Sequence, residues 1–176
     1  MMPLNFWLVF VVALIPLAIG FLYYGPVMFH RTWMREAGLT EEQLAGASML
    51  KIFGLTYLFS FFITMALQMV VIHQFGLSGL FAMLPEWNDP GSALWADLNA
   101  LHAKWDMYAR HRHFGHGALH GGMFALMFVW PIIAINGLFE RKSWKYIAIH
   151  TGYWFLCLTL MGGVLCQWLQ LPLPPV

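Results

Sequence analysis

Long apolar runs alternate with short polar connections along most of the chain. Four of the runs, at about residues 4–24, 52–72, 118–138 and 146–169, are long enough to cross a hydrocarbon layer of about 30 Å, which takes about 20 helical residues. No strand-like alternation of apolar and polar positions is visible. Within lipid, every backbone amide must be bonded inside its own helix. The pattern therefore predicts an all-α integral membrane four-helix bundle, formed by one domain over residues 1–176.

Prolines and capping residues add local detail to the predicted helices. Pro16 and Pro131 lie inside these two apolar runs. Each proline removes a backbone hydrogen bond, so we expect a kink in the helix there. Thr40 and Gln43 have the spacing of a capping box at a helix start. We expect the second membrane helix to begin near this box, well before it enters lipid.

The connection between the second and third predicted helices, residues 74–114, is too long to be a simple link. It is broken by turn-forming residues, namely Pro85, Asp89, Pro90 and Gly91. Ser92 is then placed to cap a helix that begins at Ala93. Aromatic side chains that favour a membrane interface follow along this connection: Trp87, Trp95, Trp105 and Tyr108. We expect an external helical cap over the bundle.

Composition agrees with a chain that is embedded in lipid. Hydrophobic residues make up 60% of the chain and charged residues 10%, with a mean hydropathy of +0.66, whereas soluble proteins average about 45–50% apolar and about 25% charged residues. The formal net charge of +1 gives no reason to expect a nucleic acid. The expected partners are the lipid bilayer and either a second copy of the chain or a larger membrane complex.

Basic residues are distributed unequally over the three connections. The first and third connections hold six of them, Arg31, Arg35, Lys51, Arg141, Lys142 and Lys145. The second connection holds three, Lys104, Arg110 and Arg112. Because loops rich in Lys and Arg stay in the cytoplasm, we expect a protein of the bacterial cytoplasmic membrane with loops one and three in the cytoplasm. Both termini and the cap would then lie outside.

Several short segments are similar to a known family. After the first apolar run the chain reads YYGPVMF at 23–29 and WMREAGLTEE at 33–42, and later NGLFER at 136–141, GY at 152–153 and LMGG at 160–163. In these segments the chain resembles bacterial membrane proteins classed as domain of unknown function 1761. The resemblance implies a compact four-helix membrane protein without an assigned activity. The connection 74–114 is longer and richer in histidine than the family pattern.

Two segments of the chain are also similar to each other. FHRTW at 29–33 follows the first apolar run, and FERKSW at 139–144 follows the third. One interpretation is a pair of repeated helical hairpins related by an axis along the membrane normal. The alternative is that Phe, Arg and Trp gather at any membrane interface.

Histidines are the candidate metal-binding residues. On an unbroken helix from residue 93 into the third membrane helix, a set of polar side chains would share an arc of roughly 80°; the set is His102, Asp106, His113, His116 and His120. His116 and His120, four residues apart, can point at one ion, and His113 adds a third imidazole. Asp106 and His73, at the outer end of the second helix, are further candidate ligands. Such a set suits zinc, copper or iron.

The same histidines are also compatible with two alternative roles. Histidines near helix ends act as interfacial anchors, and a haem held between His73 and either His116 or His120 is the second alternative. The glycines in this region argue against one unbroken helix; they are Gly115, Gly117, Gly121 and Gly122. The spacing of Gly117 and Gly121 favours close helix packing, within the bundle or between subunits.

Enzyme motifs are missing from the sequence. It contains no glycine-rich phosphate loop, no nucleophile elbow and no CxxC pair, so we name no catalytic residue. We expect a small, non-enzymatic membrane protein that serves as a structural or accessory subunit or as a self-associating bundle. One alternative is a metal- or haem-binding membrane protein that uses the external histidines. Another is a carrier for a small uncharged or amphipathic molecule.

Overall fold

The computed structural model describes residues 2–173, and its regular elements in that range are all helical. The predicted all-α class is confirmed. A 3₁₀ turn at Pro85–Asn88 and a π-helical segment at Ala125–Val129 accompany the α-helices. The α-helices are α1 Trp7–Val12, α2 Ile15–Tyr23, α3 His30–Ala37, α4 Glu41–Ala45, α5 Met49–Val71, α6 Phe75–Phe81, α7 Ala93–Trp105, α8 Phe114–Phe124, α9 Trp130–Phe139 and α10 Trp144–Trp168.

Three helical stretches of the described chain are long and apolar enough to cross a membrane. They are Met49–Val71, Phe114–Phe139 and Trp144–Trp168, and they correspond to the second, third and fourth predicted membrane helices. The first predicted run forms the shorter apolar stretch Trp7–Tyr23. At about 1.5 Å per residue this stretch is about 25 Å long.

The helical pattern changes just before both prolines, at which the sequence predicts kinks. Pro16 lies in the first turn of α2, just after the break that ends α1. A proline costs little there because the first turn of a helix needs no backbone N–H donor. Pro131 follows the π-helical segment Ala125–Val129, in which backbone N–H groups bond one residue further back than in an α-helix. The wider turn accommodates Pro131, which has no backbone N–H to donate.

The capping box is present, but it starts a different helix from the one expected. The Thr40 hydroxyl accepts from the Gln43 backbone N–H at 3.3 Å, and the Gln43 amide oxygen accepts from the Thr40 backbone N–H at 2.9 Å. This box begins the short α4, which stops at Ala45. Ser48 then caps α5 through the backbone N–H of Lys51. Helix α5 therefore starts near the box but at a cap of its own, and the chain breaks between α4 and α5.

The two similar segments of the sequence differ in conformation. The first, residues 29–33, leads directly into α3. The second, residues 139–144, forms the turn between α9 and α10, with Arg141 in the left-handed region at φ 55°. Local structure therefore gives no support to a repeated hairpin at this point.

Helix α10 lies at the centre of the molecule, where it packs against α1, α2, α3, α5, α8 and α9. Its closest neighbour is α8, and the two backbones meet at glycines. A Cβ atom at Gly117 would collide with the carbonyl oxygen of Gly162, and one at Gly121 with that of Leu158. The small-residue spacing of Gly117 and Gly121 is therefore used for packing within the chain.

The first and last described residues lie at the same end of the molecule, which we call the terminal end. The Leu4 backbone N–H donates to the Gln170 carbonyl at 2.7 Å, and the Asn5 side chain donates to the Trp168 carbonyl at 2.8 Å. Helix α8 also starts here, since the Phe114 backbone N–H donates to the Gln167 side chain at 3.0 Å. The terminal end thus contains Leu4, Gln170 and the first turn of α8.

The segment between α5 and α8 contains the predicted helix after Ser92. The Ser92 hydroxyl accepts from the Trp95 backbone N–H at 3.5 Å and caps α7. Trp95, Leu98 and Tyr108 form a small buried cluster of their own. Gln74, just after the end of α5, donates from its side-chain amide to the carbonyls of Met107 and Arg110, each at 3.0 Å. These two bonds hold the loop before α8 against the end of α5.

Candidate metal centre

Three histidines meet at the terminal end. His73 lies in the turn between α5 and α6, while His116 and His120 lie one turn apart on α8. Residues four apart on a helix share a face, so both α8 imidazoles point toward α5. One ligand atom from each of the three rings lies within 4.8 Å of the others. We call this group the histidine trio.

The rings of the trio are steeply inclined to one another. The ring planes of His73 and His116 make an angle of 79°, those of His73 and His120 an angle of 85°, and those of His116 and His120 an angle of 55°. An imidazole binds a metal in the plane of its own ring, so inclined rings can direct their lone pairs to one point from three sides. The trio has the geometry of a facial ligand set.

The Nε2 atoms of His73 and His116 are 2.9 Å apart and share a hydrogen bond. Two nitrogens that each bind zinc at about 2.0–2.1 Å with tetrahedral angles lie about 3.3 Å apart. For an ion to replace the shared proton, the two nitrogens therefore have to move apart by only about a few tenths of an ångström. By contrast, nitrogens in direct contact leave no space for a porphyrin plane between these two rings, so the geometry does not fit a haem held between His73 and His116.

The trio is accessible to solvent. His73 is exposed, and His116 and His120 are partly exposed. Within the described chain, the group consists of imidazoles alone and includes no carboxylate or thiol. Neutral imidazoles are ligands for zinc, copper, nickel, cobalt and iron ions, whereas calcium and magnesium ions prefer oxygen.

His113 lies beside the trio, where it caps α8. Its Nδ1 accepts a hydrogen bond from the backbone N–H of His116 at 3.2 Å. Its ring centroid is 5.8 Å from that of His116. The structure therefore does not include His113 in the trio, because a ring that caps the helix start faces the backbone.

Asp106 and His102, the other members of the predicted stripe, are also separate from the trio. Helix α7 ends at Trp105, and Asp106 adopts a left-handed conformation with φ 52°. The Nδ1 of His102 accepts from the backbone N–H of Tyr108 at 3.1 Å. Since the chain turns at Asp106, the unbroken helix that would align the stripe does not form. Asp106 therefore does not belong to the group that the three histidines form.

His111 contacts the trio, although the sequence pattern did not single it out. Its ring stacks on that of His116, with centroids 4.6 Å apart and planes inclined by only 16°. Its backbone is left-handed, with φ 65°. The neighbouring Arg112 donates to the carbonyl of Leu169 and ties this loop to the end of α10, and burial lowers the pKa of its guanidinium. His111 lies in a loop, so helical periodicity gave no signal for it.

Histidines at the opposite end of the molecule are bonded to other residue types. The Nδ1 of His30 bonds the Tyr24 carbonyl at 3.1 Å, and its Nε2 lies 3.6 Å from Glu41. The Nδ1 of His150 shares a hydrogen bond with the Tyr24 hydroxyl at 3.0 Å. These histidines serve local structure, whereas the members of the trio contact mainly each other.

A protein-family model described as "Protein of unknown function (DUF1761)" matches residues 7–166. The matched range contains the whole histidine trio and every helix from α1 to α9 together with most of α10. No curated protein and no solved structure matches the chain.

Proposed function

Since the chain belongs to the DUF1761 family of proteins of unknown function, we propose from its own geometry that it is a small integral membrane protein that binds a transition-metal ion. His73, His116 and His120 are the ligands. The observation that carries this proposal is the convergence of three inclined imidazoles, two from α8 and one from the turn after α5. Histidines that only anchor an interface have no reason to bring their nitrogens together.

The number of membrane crossings is part of the proposal. Leu4, Gln170, the end of α5 and the start of α8 lie at the terminal end. A chain that leaves from one end and returns to it crosses an even number of times. Three long stretches therefore support a fourth crossing by Trp7–Tyr23. Its length of about 25 Å is compatible with local thinning of the bilayer, which costs only fractions of a kcal/mol per Å.

Orientation follows from the basic residues. The connections opposite the terminal end hold six Lys and Arg residues, against three in the connection that carries the histidines. We propose that the protein lies in the bacterial cytoplasmic membrane with the terminal end and the trio outside. The trio would then take its ion from the aqueous phase outside the cytoplasm.

The carrier alternative receives less support. A groove of about 600 Å³ opens between the π-helical segment with α9 on one side and α10 on the other. Its lining is almost wholly apolar and includes Trp130, Trp144 and Phe155. The carrier expected from the sequence takes a small uncharged or amphipathic molecule, and this lining offers few polar partners for the head group of an amphipathic one.

Metal analysis tests the proposal. The protein is purified in detergent with an affinity tag that lacks histidine, loaded with Zn²⁺ or Co²⁺ and freed of excess ion. We expect about one ion per chain for the natural protein, and less than about a tenth for the variant with His73→Asn, His116→Asn and His120→Asn.

The matched control is a variant in which His30 and His150, at the opposite end, are replaced by Asn. It should keep its ion. Two results would contradict the proposal: a natural protein that retains no ion, or a control that loses the ion as completely as the trio variant. In either case the structural or accessory role expected from the sequence would be the better account.

A further inference from the structure

The trio offers three nitrogens, and transition ions that bind imidazole commonly take four or more ligands. Structural zinc sites complete four protein ligands, whereas sites that act on other molecules keep one position for water or a substrate. Whether a fourth protein donor can reach the ion therefore decides what kind of site this is. The positions of the neighbouring side chains give the answer.

His111 is the nearest additional imidazole, and its orientation prevents it from sharing the ion. An ion bound by His116 lies in the plane of the His116 ring. The two ring planes are inclined by only 16° with centroids 4.6 Å apart, so they run side by side. The lone pairs of His111 therefore point past an ion held in the neighbouring plane. Stacking fixes the orientation of His116 instead.

The remaining donors are engaged elsewhere. The Nδ1 of His113 accepts the hydrogen bond that caps α8, and its ring is 5.8 Å from that of His116. The carboxylate of Asp106 lies 3.9 Å from His102 and is largely exposed. The thiol of Cys166 donates to the His111 carbonyl at 3.3 Å. In the described chain, no fourth His, Cys, Asp or Glu belongs to the group with the trio.

Charge balance indicates what would fill the fourth position. Three neutral imidazoles leave the charge of a divalent ion uncompensated, since no carboxylate in the described chain belongs to the group. A site beside lipid has a low local dielectric, which strengthens the attraction for an anion. Exposed His73 leaves one side of the trio open to water. A small monoanion can therefore reach the ion and reduce its net charge.

We infer that a metal ion held by the histidine trio keeps one coordination position open to solvent and that this position binds small monoanions such as hydroxide, azide or thiocyanate. The inference rests on the proposed function, because it requires that His73, His116 and His120 hold the ion. It assigns the site to the class that binds an exchangeable ligand. A purely structural zinc site would lack this position.

Cobalt spectroscopy tests the inference on the complete protein. Co²⁺ is added to the metal-free protein in detergent, its visible absorption is recorded, and sodium azide is titrated in with sodium chloride at matched ionic strength as the comparison. We expect a cobalt spectrum that azide shifts saturably, with a stoichiometry of one azide per ion. A cobalt spectrum that azide leaves unchanged overturns the inference while the proposed function stands. Failure to bind cobalt at all overturns both.

Two variants identify a hidden fourth ligand. His113→Asn should bind cobalt as the natural protein does, and His111→Asn should bind it more weakly because the ring that stacks on His116 is lost; both should still respond to azide. If either variant acquires an azide response that the natural protein lacks, the replaced histidine is the fourth ligand and the inference is overturned. Cobalt binding by each variant is itself a check that the trio has remained assembled.

Discussion

Helix α8 carries two ligands of the trio and the turn after α5 carries the third, but these two parts are held in the molecule in different ways. Helix α8 meets α10 backbone to backbone at Gly117 and Gly121. The most apolar windows of the two stretches are buried to a similar extent, 17% for Met49–Val71 and 22% for Phe114–Phe139, so the difference lies in this backbone contact. His73 lies beyond the end of α5, where the Gln74 side chain bonds the loop before α8. The trio therefore depends on what holds the end of α5 in place.

The strongest test of this contrast compares glycines on the two helices. A Cβ at Gly121 would collide with the backbone of Leu158, which has no freedom to move aside, whereas a Cβ at Gly54 on α5 would meet nothing within 4 Å. We expect Gly121→Ala to lower the free energy of unfolding by about 3 kcal/mol or more. Gly54→Ala should raise it, by up to about 1 kcal/mol.

Unfolding of both variants in the same detergent by heat or denaturant measures the difference. Equal stabilities for Gly121→Ala and Gly54→Ala would show that α8 and α10 are not in backbone contact.

Metal binding should tie the end of α5 to α8. At an ion concentration of about 100 times Kd, binding to the folded state alone stabilises it by about 2.7 kcal/mol. We expect the natural protein to gain close to this amount from Zn²⁺ and His73→Asn to gain little, because its ion would be held by α8 alone. His30→Asn, at the opposite end, should gain as much as the natural protein. Thermal unfolding with and without Zn²⁺ measures these gains, and an undiminished gain in His73→Asn would remove α5 from the site.

Removing the two hydrogen bonds from Gln74 should have the next largest effect. They hold the loop before α8 against the end of α5, so Gln74→Ala leaves the carbonyls of Met107 and Arg110 without this partner. We expect a loss of about 1–2 kcal/mol in stability and an affinity for Zn²⁺ that is up to about tenfold weaker. Equilibrium titration with Zn²⁺ measures the affinity. Unchanged affinity would mean that α5 is positioned by its lipid-facing packing alone.

The smallest effect should come from the opposite end, where α10 is tied to α3. The Ser143 hydroxyl donates to the Glu36 carboxylate at 2.6 Å, and this bond, with Arg35, lowers the pKa of Glu36 below its usual value. A carboxyl group whose folded-state pKa is lowered contributes stability above its unfolded-state pKa and loses it as pH falls through the folded-state pKa.

We therefore expect Glu36→Gln to be slightly less stable than the natural protein at neutral pH and equally stable in acid below the lowered pKa. Unfolding curves collected across that pH range measure the two cases. A difference that stays constant with pH would mean that the charge of Glu36 plays no part.

The sequence predicted well what depends on local chemistry. Apolar length located the helices that correspond to α5, α8 with α9, and α10, because lipid imposes both helix and length. Ser92 and the Thr40 box marked real helix starts because a cap is formed by residues three apart. The second cap at Ser48 was missed, so a separate α4 was merged with α5.

The candidate site was only partly accessible from the sequence. His116 and His120 could be paired because their spacing brings them to one helix face, and His73 was named from its depth at the end of the second apolar run. The reversal at Asp106 has no strong local signal, since left-handed residues other than glycine are uncommon. That turn removes Asp106 and His102 from the stripe. His111 reaches His116 through the tertiary structure of the loop, which periodicity cannot report.

The hydrogen bond between Leu4 and Gln170 has a consequence for how larger proteins can be built from this one. Because Leu4 and Gln170 are neighbours, a short linker can join two copies of this range head to tail. With the even number of crossings proposed above, the second copy has the same direction as the first. Such a tandem fusion then presents both histidine trios on one surface.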